Sequence, residues 1–173
     1  GLFEDSGAKK VAGIVAATPK ISERFCGRKN CTVLNYPIVG ELQAKRSLHA
    51  NSFHCAYVGA ITEGRSALEM IEAVATIDSA TLTLAGPCPS QSLAEKIGDL
   101  REDKVATPGF VNRQEVSEIL STANVGLVLF KPHGNHRSAL PNKLFEYMSA
   151  GVPVICSNFP LWKDIVEGNK CGR

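Results

Sequence analysis

The hydrophobic pattern of the chain alternates between two spacings from residue 53 onward. Nearly continuous apolar runs such as "FHCAYVG" (53–59) are typical of strands buried on both faces, whereas "SALEMIEAVATI" (66–77) carries apolar residues at helical spacing. The pattern predicts strands in "FHCAYVG", "TLTLAG", "VGLVLF" and "VPVICS", with "KVATPGFV" as a short strand or turn. It predicts helices in "SALEMIEAVATI", "SLAEKIGDL", "RQEVSEILSTA", "NKLFEYMSA" and "LWKDIVE". Five strands alternating with five helices predict an α/β fold, in which a parallel sheet carries helices on both faces.

Local signals mark where several of these helices begin and end. Ser66, followed three residues later by Glu69, predicts a capping box at the start of the first helix. Gly151 is placed to end the helix in "NKLFEYMSA". Pro160 occupies a first helical position, where its missing N–H group would have no partner in any case.

Residues 1–47 follow a different pattern. They contain the strand-like runs "VAGIVAA" and "CTVLN" and the short helical segment "PKISERF", but no set of strands that predicts a sheet of its own. We interpret residues 1–47 as the end of a preceding domain with an interdomain linker, and residues 48–173 as a second domain. The boundary is predicted near residues 45–53.

The composition narrows the class of protein. With 44% hydrophobic and 21% charged residues and a formal net charge of +2, the chain is typical of a globular domain and lacks the concentrated basic character of nucleic-acid-binding proteins. No apolar run approaches the roughly 18 residues of a membrane-spanning helix. The six cysteines form no C-x-x-C pair and the four histidines show no metal-ligand spacing, so we expect reduced thiols and no metal site.

The stretch "GAITEGRS" (59–66) differs by one residue from the P-loop pattern G-x-x-x-x-G-K-[ST], with Arg65 in the lysine position. A P-loop NTPase also needs an Asp at the end of a neighbouring strand to hold Mg²⁺, and none of the later predicted strands ends in one. No G-x-G-x-x-G follows a strand, which disfavours a dinucleotide site. Taken alone, Gly59 and Gly64 are explained by a strand-to-helix turn beside a solvated Arg65.

The run "RSALPNKLFEYMSAGVPVICSNFPLW" (137–162) changes this interpretation. It resembles the C-terminal domain of group 1 glycosyltransferases of the GT-B fold. The segments "YVGAITEGRSALEMIEAV", "LTLAGP" and "GFVNRQEVSEILSTANVGLVLF" resemble earlier parts of that domain, in the same order. The resemblance implies that residues 48–173 are a Rossmann-like domain that binds a nucleoside-diphosphate sugar, following the end of an acceptor-binding domain. It also implies that this domain is truncated at residue 173.

The resemblance assigns the diphosphate to cations and backbone amides, because no D-x-D sequence for a divalent metal occurs in the chain. Arg65 matches the family's phosphate-contacting lysine, beside a helix N-terminus whose N–H groups attract anions. Gly59 allows the backbone to approach a phosphate closely. The family often has an arginine directly after the strand glycine, where this chain has Ala60. Lys143 either compensates for that missing cation or is a solvated lysine.

A second implied contact involves Glu146, which matches the second Glu of the family's E-x7-E signature. In that role its carboxylate would accept hydrogen bonds from ribose hydroxyls. A carboxylate between the apolar helix positions Leu144, Phe145 and Met148 also needs a partner, which favours a functional role. Ser138 stands where the signature has its first Glu, so the resemblance implies no sugar contact by a carboxylate there.

The resemblance also implies roles for three loops. The loop 132–141 is expected to line the sugar diphosphate, with side-chain or backbone groups from Asn135, Ser138, Ala139 and Leu140. His133 and His136 are expected to be ordinary loop residues. The segments "AGP" (85–87) and "GFV" (109–111) are expected at the carboxyl ends of strands, with "GFV" as a candidate pocket for the base.

The activity implied by the resemblance is transfer of a sugar from a nucleoside-diphosphate donor to a hydroxyl acceptor, in polysaccharide or glycoconjugate synthesis. Transfer is expected to be metal-independent and to retain the anomeric configuration, with no cofactor beyond the donor substrate and no catalytic residue assigned in this chain. The acceptor, a glycan or a lipid-linked molecule, would bind the preceding domain, so the isolated fragment is expected to be inactive. The enzyme is expected in the cytoplasm, with peripheral association at the inner face of the membrane as an option.

Two alternatives remain open at this level. Ala60 and Ser138, which depart from the family pattern, are compatible with a nucleotide-sugar binding module that has no turnover. A sugar-nucleotide epimerase shares the two-domain fold, although the run "PNKLFEYMSAGVPVI" favours a transferase.

Overall fold

The computed structural model describes residues 2–42, 46–47, 52–100 and 103–173. The first of these ranges contains, in chain order, helix α1 (Leu2–Ala8), strand β1 (Ile14–Ala16), helix α2 (Pro19–Glu23) and strand β2 (Asn30–Thr32). β1 and β2 pair in parallel, and α2 forms the crossover that parallel pairing requires. The expectation that residues 1–47 have no sheet of their own is therefore wrong. Most of the interval predicted to hold the domain boundary, including residues 45 and 48–51, lies outside the described residues.

The second part of the chain contains strands β3 (Phe53–Val58), β4 (Ala80–Ala85), β5 (Val105–Gly109), β6 (Val125–Val128) and β7 (Val154–Cys156). They alternate with helices α3 (Ala67–Ala75), α4 (Gln91–Leu100), α5 (Arg113–Thr122), α6 (Asn142–Ser149) and α7 (Pro160–Gly168). Within the described residues these strands form one five-stranded parallel sheet in the order β5-β4-β3-β6-β7. The predicted fold class is confirmed, and "KVATPGFV" contains a strand.

The strand order places a crevice at a defined point of the sheet. From the central strand β3 the chain first moves outward through β4 to β5, and then returns to the other side of β3 with β6 and β7. Loops that leave β3 and β6 therefore diverge to opposite faces. In open parallel sheets ligands bind at the carboxyl ends of the strands at such a reversal of direction.

The sheet separates two hydrophobic cores, as a layer with helices on both faces requires. On one face α3 and α4 bury Met70, Ile71 and Leu93 against the side chains of Cys55 and Tyr57 in β3. On the other face α5, α6 and α7 contribute a second buried set: Val116, Leu120, Leu144, Tyr147, Trp162 and Val166. Both faces of β6 are covered, which explains why its sequence is continuously apolar.

A close contact between β6 and α6 depends on glycine. A Cβ atom at Gly126 would collide with the ring of Tyr147, so only glycine leaves room for this tyrosine against the sheet. The Val58 backbone N–H donates a hydrogen bond of 2.9 Å to the Tyr147 hydroxyl oxygen. The position of α6 is thereby tied to the end of the central strand β3.

The capping box predicted at Ser66 is wrong. A 3-10 turn (Glu63–Arg65) precedes α3, and Ser66 has left-handed backbone angles (φ 54°, ψ 38°), with no side-chain cap bond among the described residues. Glu69 instead forms an ion pair of 2.7 Å with Lys131. A capping box is present at α5, where the Asn112 side chain accepts from the backbone of Glu115 and the Glu115 carboxylate accepts from the backbone N–H of Asn112.

Candidate donor-binding cleft

A cleft of about 870 Å³ lies at the carboxyl ends of the central strands. Its walls come from the loops that follow β3, β4, β5 and β6 and from the first turns of α5 and α6. Each of the predicted site residues except Ser138 lines it: Gly59, Arg65, Asn135, Ala139, Leu140, Lys143 and Glu146. Ser138 lies next to Ala139, at the end of the 3-10 turn His136–Ser138. Its hydroxyl donates to the backbone oxygen of Asn135 (3.3 Å), and its predicted contact with the donor stays a prediction.

Arg65 and Gly59 meet at the end of β3. Gly59 has φ +131°, a conformation that side chains rarely adopt, and a Cβ atom there would lie 2.8 Å from Lys143 Nζ and 3.6 Å from Arg65 Nη1. Glycine is therefore needed for both the backbone turn and the approach of these cations. The Arg65 guanidinium lies 5.2 Å from the centre of the Phe130 ring and donates a long hydrogen bond (3.4 Å) to the Ala60 oxygen. Arg65 is the last residue of the 3-10 turn and lies two residues before α3 begins at Ala67. Support of a bound anion by this helix N-terminus stays a prediction.

Lys143 is buried inside the cleft wall. It is 6% exposed, which excludes the solvated alternative, and its Nζ atom has no hydrogen-bond partner among the residues described by the structure. The ammonium stands 3.4 Å from the centre of the Tyr57 ring, a cation–π contact. Burial lowers the pKa of Lys143 well below its usual range, the positive charge of Arg65 lowers it further, and Glu146 opposes the shift. A buried cation of this kind is suited to accept an anionic ligand.

Glu146 has a protein partner. Arg113, the first residue of α5, donates a hydrogen bond of 2.6 Å from Nη1 to Oε1 of Glu146. The same guanidinium donates from Nε (3.1 Å) and Nη2 (2.6 Å) to the two carboxylate oxygens of Glu41. Hydrogen bonding to Glu41, with a smaller contribution from Glu146, raises the pKa of Arg113, and Arg113 in turn lowers the pKa of Glu41. The Glu146 carboxylate thus has a hydrogen-bond partner in Arg113. Its position among apolar residues therefore does not by itself indicate a ligand.

The loop after β6 is held in place from both ends. Lys131 donates its backbone N–H to the Gly64 oxygen (2.9 Å), and the His136 Nδ1 atom lies 2.8 Å from the Lys131 oxygen. At the other end of the loop, the Trp162 indole N–H donates to the Ala139 oxygen (2.7 Å). His136 also packs edge-on against Phe130, with ring centres 5.0 Å apart, and it lines the cleft. His136, expected to be an ordinary loop residue, thus also helps to hold the loop in place through its contacts with Phe130 and Lys131.

The segments expected at the strand ends are found there. Ala85, Gly86 and Pro87 line one side of the cleft, and Phe110 and Val111 line another. Phe110 is 83% exposed, so its ring offers an uncovered apolar face at the cleft border. The pocket predicted for a base at "GFV" stays a prediction.

Arg113 is a charged lining residue that the sequence motifs do not indicate. Its position could have been inferred in part, because Asn112 with Glu115 three residues later has the form of a capping box that starts α5 at residue 113. Its two carboxylate partners lie 72 and 33 residues away in the chain. No local pattern relates residues at such separations.

A second groove, of about 690 Å³, lies beside the edge strand β5. Its border carries the carboxylates of Asp103, Glu115 and Glu118. Negative charge of this kind would repel a diphosphate, whereas the cleft at the strand ends holds Arg65 and Lys143. Electrostatics therefore favours the cleft as the anion site.

No group of three His, Cys, Asp or Glu side chains suited to hold a metal ion occurs in the described part of the chain. None of the helices described here has the length and the apolar character needed to cross a membrane.

Comparison with known proteins identifies the family. The family model for group 1 glycosyl transferases matches residues 52–173 of this chain. A search of curated proteins found no significant match. Among solved structures, HepE from Anabaena, in complex with UDP and glucose, is 15% identical with a TM-score of 0.63, and the match covers 86% of this chain and 45% of that one.

Two other solved structures show the same relation. Sucrose-phosphate synthase from Thermosynechococcus elongatus is 19% identical with a TM-score of 0.60, over 84% of this chain and 40% of that one. TarM is 15% identical with a TM-score of 0.68, over 99% of this chain and 34% of that one. The chain thus spans less than half the length of these GT-B structures, and at such identities the likeness shows the fold. With its family model covering residues 52–173, the chain belongs to the group 1 glycosyltransferases.

Proposed function

We propose that this chain binds the nucleoside-diphosphate sugar of a glycosyltransferase that transfers the sugar to a hydroxyl acceptor. The observation that carries the proposal is that the Arg65 guanidinium and the buried ammonium of Lys143 both lie beside Gly59. A diphosphate placed there would give Lys143 the anionic partner that its burial calls for. Residues 48–173 are proposed as the donor-binding domain, preceded by the end of the acceptor-binding domain.

The two cations also suggest how the leaving group is stabilised. Departure of the nucleoside diphosphate builds negative charge on its outer phosphate, and cations already fixed in a water-poor site stabilise that charge most effectively. Lys143 and Arg65 would supply this stabilisation in place of a divalent metal, which supports metal-independent transfer. Retention of the anomeric configuration and a glycan or lipid-linked acceptor belong to the same proposal.

Glu146 is proposed to bind the ribose of the donor. Its side chain is 17% exposed and lines the cleft about one helical turn from Lys143. A carboxylate at that place accepts hydrogen bonds from sugar hydroxyls. The diphosphate at Lys143 and the ribose at Glu146 would then run along α6.

Calorimetric titration with UDP and with GDP tests the proposal. HepE was solved with UDP, which makes UDP the first nucleotide to try. At least one of the two should bind, and Lys143→Met and Glu146→Ala should each weaken binding by about tenfold or more, because a hydrogen bond to a charged group contributes about 1.5–3 kcal/mol. EDTA should leave the affinity unchanged.

Matched controls remove the same residue types outside the cleft. Lys163→Met, on the exposed face of α7, and Glu95→Ala, on α4, should bind the nucleotide as the wild type does. Absence of binding for both nucleotides, or equal binding by the wild type and both cleft variants, would show that this cleft is not the donor site.

A further inference from the structure

Three charged side chains connect the cleft to the segment that precedes the five-stranded sheet. Glu41 engages Arg113 through both of its carboxylate oxygens, at 3.1 Å from Nε and 2.6 Å from Nη2. The remaining Nη1 atom of Arg113 donates to Glu146 at 2.6 Å. Because the guanidinium is planar, the two-point contact with Glu41 also determines where Nη1 points.

The segment that carries Glu41 is itself anchored on the same face of the sheet. Leu42 is 1% exposed and belongs to the hydrophobic core that contains Leu144 and Tyr147 of α6. The Tyr36 ring packs edge-on against Phe145, the neighbour of Glu146, with ring centres 4.6 Å apart. Glu41 therefore lies beside a buried anchor, and its carboxylate has a defined position relative to α6.

The exposure of these side chains indicates what the contacts do. Arg113 is 46% exposed, Glu41 34% and Glu146 17%. Ion pairs at such positions contribute little to folding, because solvent screens them and ordering two long side chains costs entropy. A residue that lines the cleft and holds a cleft carboxylate by a short hydrogen bond instead restricts the orientation of that carboxylate.

We propose that Arg113 is a positioning residue, which holds the Glu146 carboxylate in the orientation that receives the donor ribose. Glu41 in turn holds Arg113, so the segment 36–42 takes part in donor recognition without touching the donor. This inference rests on the proposed function of the cleft. It assigns Arg113 an effect on ribose recognition and none on recognition of the diphosphate.

The test compares the nucleotide that binds, UDP or GDP, with its 2′,3′-dideoxy counterpart, which lacks the ribose hydroxyls. The ratio of the two dissociation constants measures ribose recognition. The wild type should prefer the ribonucleotide, and Arg113→Met should reduce that preference about tenfold, the loss expected for a mispositioned charged acceptor. Affinity for the dideoxy nucleotide should stay unchanged.

Variants at Glu41 separate positioning from direct contact. Glu41→Gln should reduce the ribose preference in part, although Glu41 does not line the cleft. The double variant with Arg113→Met should be no worse than Arg113→Met alone, because both changes act through one side chain. Arg113→Lys should fall between the wild type and Arg113→Met, since an ammonium replaces a planar fork by a single point of contact.

Arg24→Met removes another exposed arginine paired with two carboxylates, Glu4 and Asp5, and should keep the full preference. An unchanged preference in Arg113→Met, or an equal loss of affinity for both nucleotides, would overturn the positioning role while the donor site stands. A wild type that binds neither nucleotide overturns the donor site and this inference together.

Discussion

At the residue scale, the anion-binding role proposed for Lys143 opposes the stability of the fold. Its ammonium is removed from water, beside a second cation, and faces the ring of Tyr57. An unsatisfied buried polar group costs about 1–3 kcal/mol of folding free energy. The chain keeps a lysine at this position, although a methionine of similar length would fill the same space at a lower cost in folding free energy.

Lys143→Met should therefore raise the free energy of unfolding, by about 1–3 kcal/mol near neutral pH. The pKa of Lys143 is lowered in the folded chain, so between that pKa and the ordinary value of 10.5 the unfolded chain binds the proton and the folded chain does not. Wild-type stability then rises with pH across this interval. The advantage of the variant should shrink as pH rises from that lowered pKa towards 10.5, as measured by urea unfolding.

The comparison with Lys163→Met isolates this effect, because Lys163 is exposed on α7. Its stability relative to the wild type should not depend on pH in the same range. A pH-independent difference for Lys143→Met would mean that the ammonium is hydrated in solution.

At the scale of single elements, the start of α5 determines the position of Arg113, which is the first residue of this helix. The capping box of Asn112 and Glu115 satisfies backbone N–H groups that the first turn of a helix leaves unpaired. At α3 the corresponding position, Ser66, is in a left-handed conformation and joins the helix to a 3-10 turn. Two serine- or asparagine-led helix starts that look alike in sequence thus have different structures.

Asn112→Ala should lower the free energy of unfolding by about 1 kcal/mol, the usual cost of losing a side-chain cap. Ser66→Ala should change it by less than about 0.5 kcal/mol, because the Ser66 side chain caps nothing among the described residues. Urea unfolding of both variants measures the difference. Equal losses at the two positions would contradict the assignment of a side-chain cap to α5 and not to α3.

At the scale of the whole molecule, the cleft exists because α6 is held against the centre of the sheet. Tyr147 enters the space left by Gly126 in β6 and accepts a hydrogen bond from Val58 in β3. This contact fixes the position of α6 on the sheet and so places Lys143 beside Gly59. The packing of one face of the sheet thereby determines the geometry of the site at its end.

Gly126→Ala should cost about 1–3 kcal/mol of unfolding free energy, as expected for an extra methyl group in a filled core. It should also weaken nucleotide binding, because the displaced tyrosine moves α6. Gly98→Ala is the matched control, since a Cβ atom at Gly98 in α4 would meet nothing within 4 Å, and it should stabilise the chain by up to about 1 kcal/mol. Thermal unfolding measures the stability of the two variants, and calorimetry measures their nucleotide affinity. A destabilised Gly126→Ala variant with wild-type affinity would show that the packing of Tyr147 does not determine the geometry of the site.

The sequence by itself determined the fold class and the strands and helices from residue 53 onward. Strand-like runs and helical periodicity depend on residues within a few positions of one another, and parallel pairing follows from their strict alternation. The position of the cleft followed from the same alternation, because the loops at Gly59, "AGP" and "GFV" all leave the carboxyl ends of strands.

Only the tertiary structure decided how the charged groups at the cleft are paired. Glu41 and Arg113 are 72 residues apart, and the burial of Lys143 depends on the contact of α6 with β3 and β6. The backbone conformation of Ser66 likewise depends on the turn before it. Such contacts arise from the packing of whole helices and strands. Local sequence patterns therefore do not predict which charged groups become paired or buried.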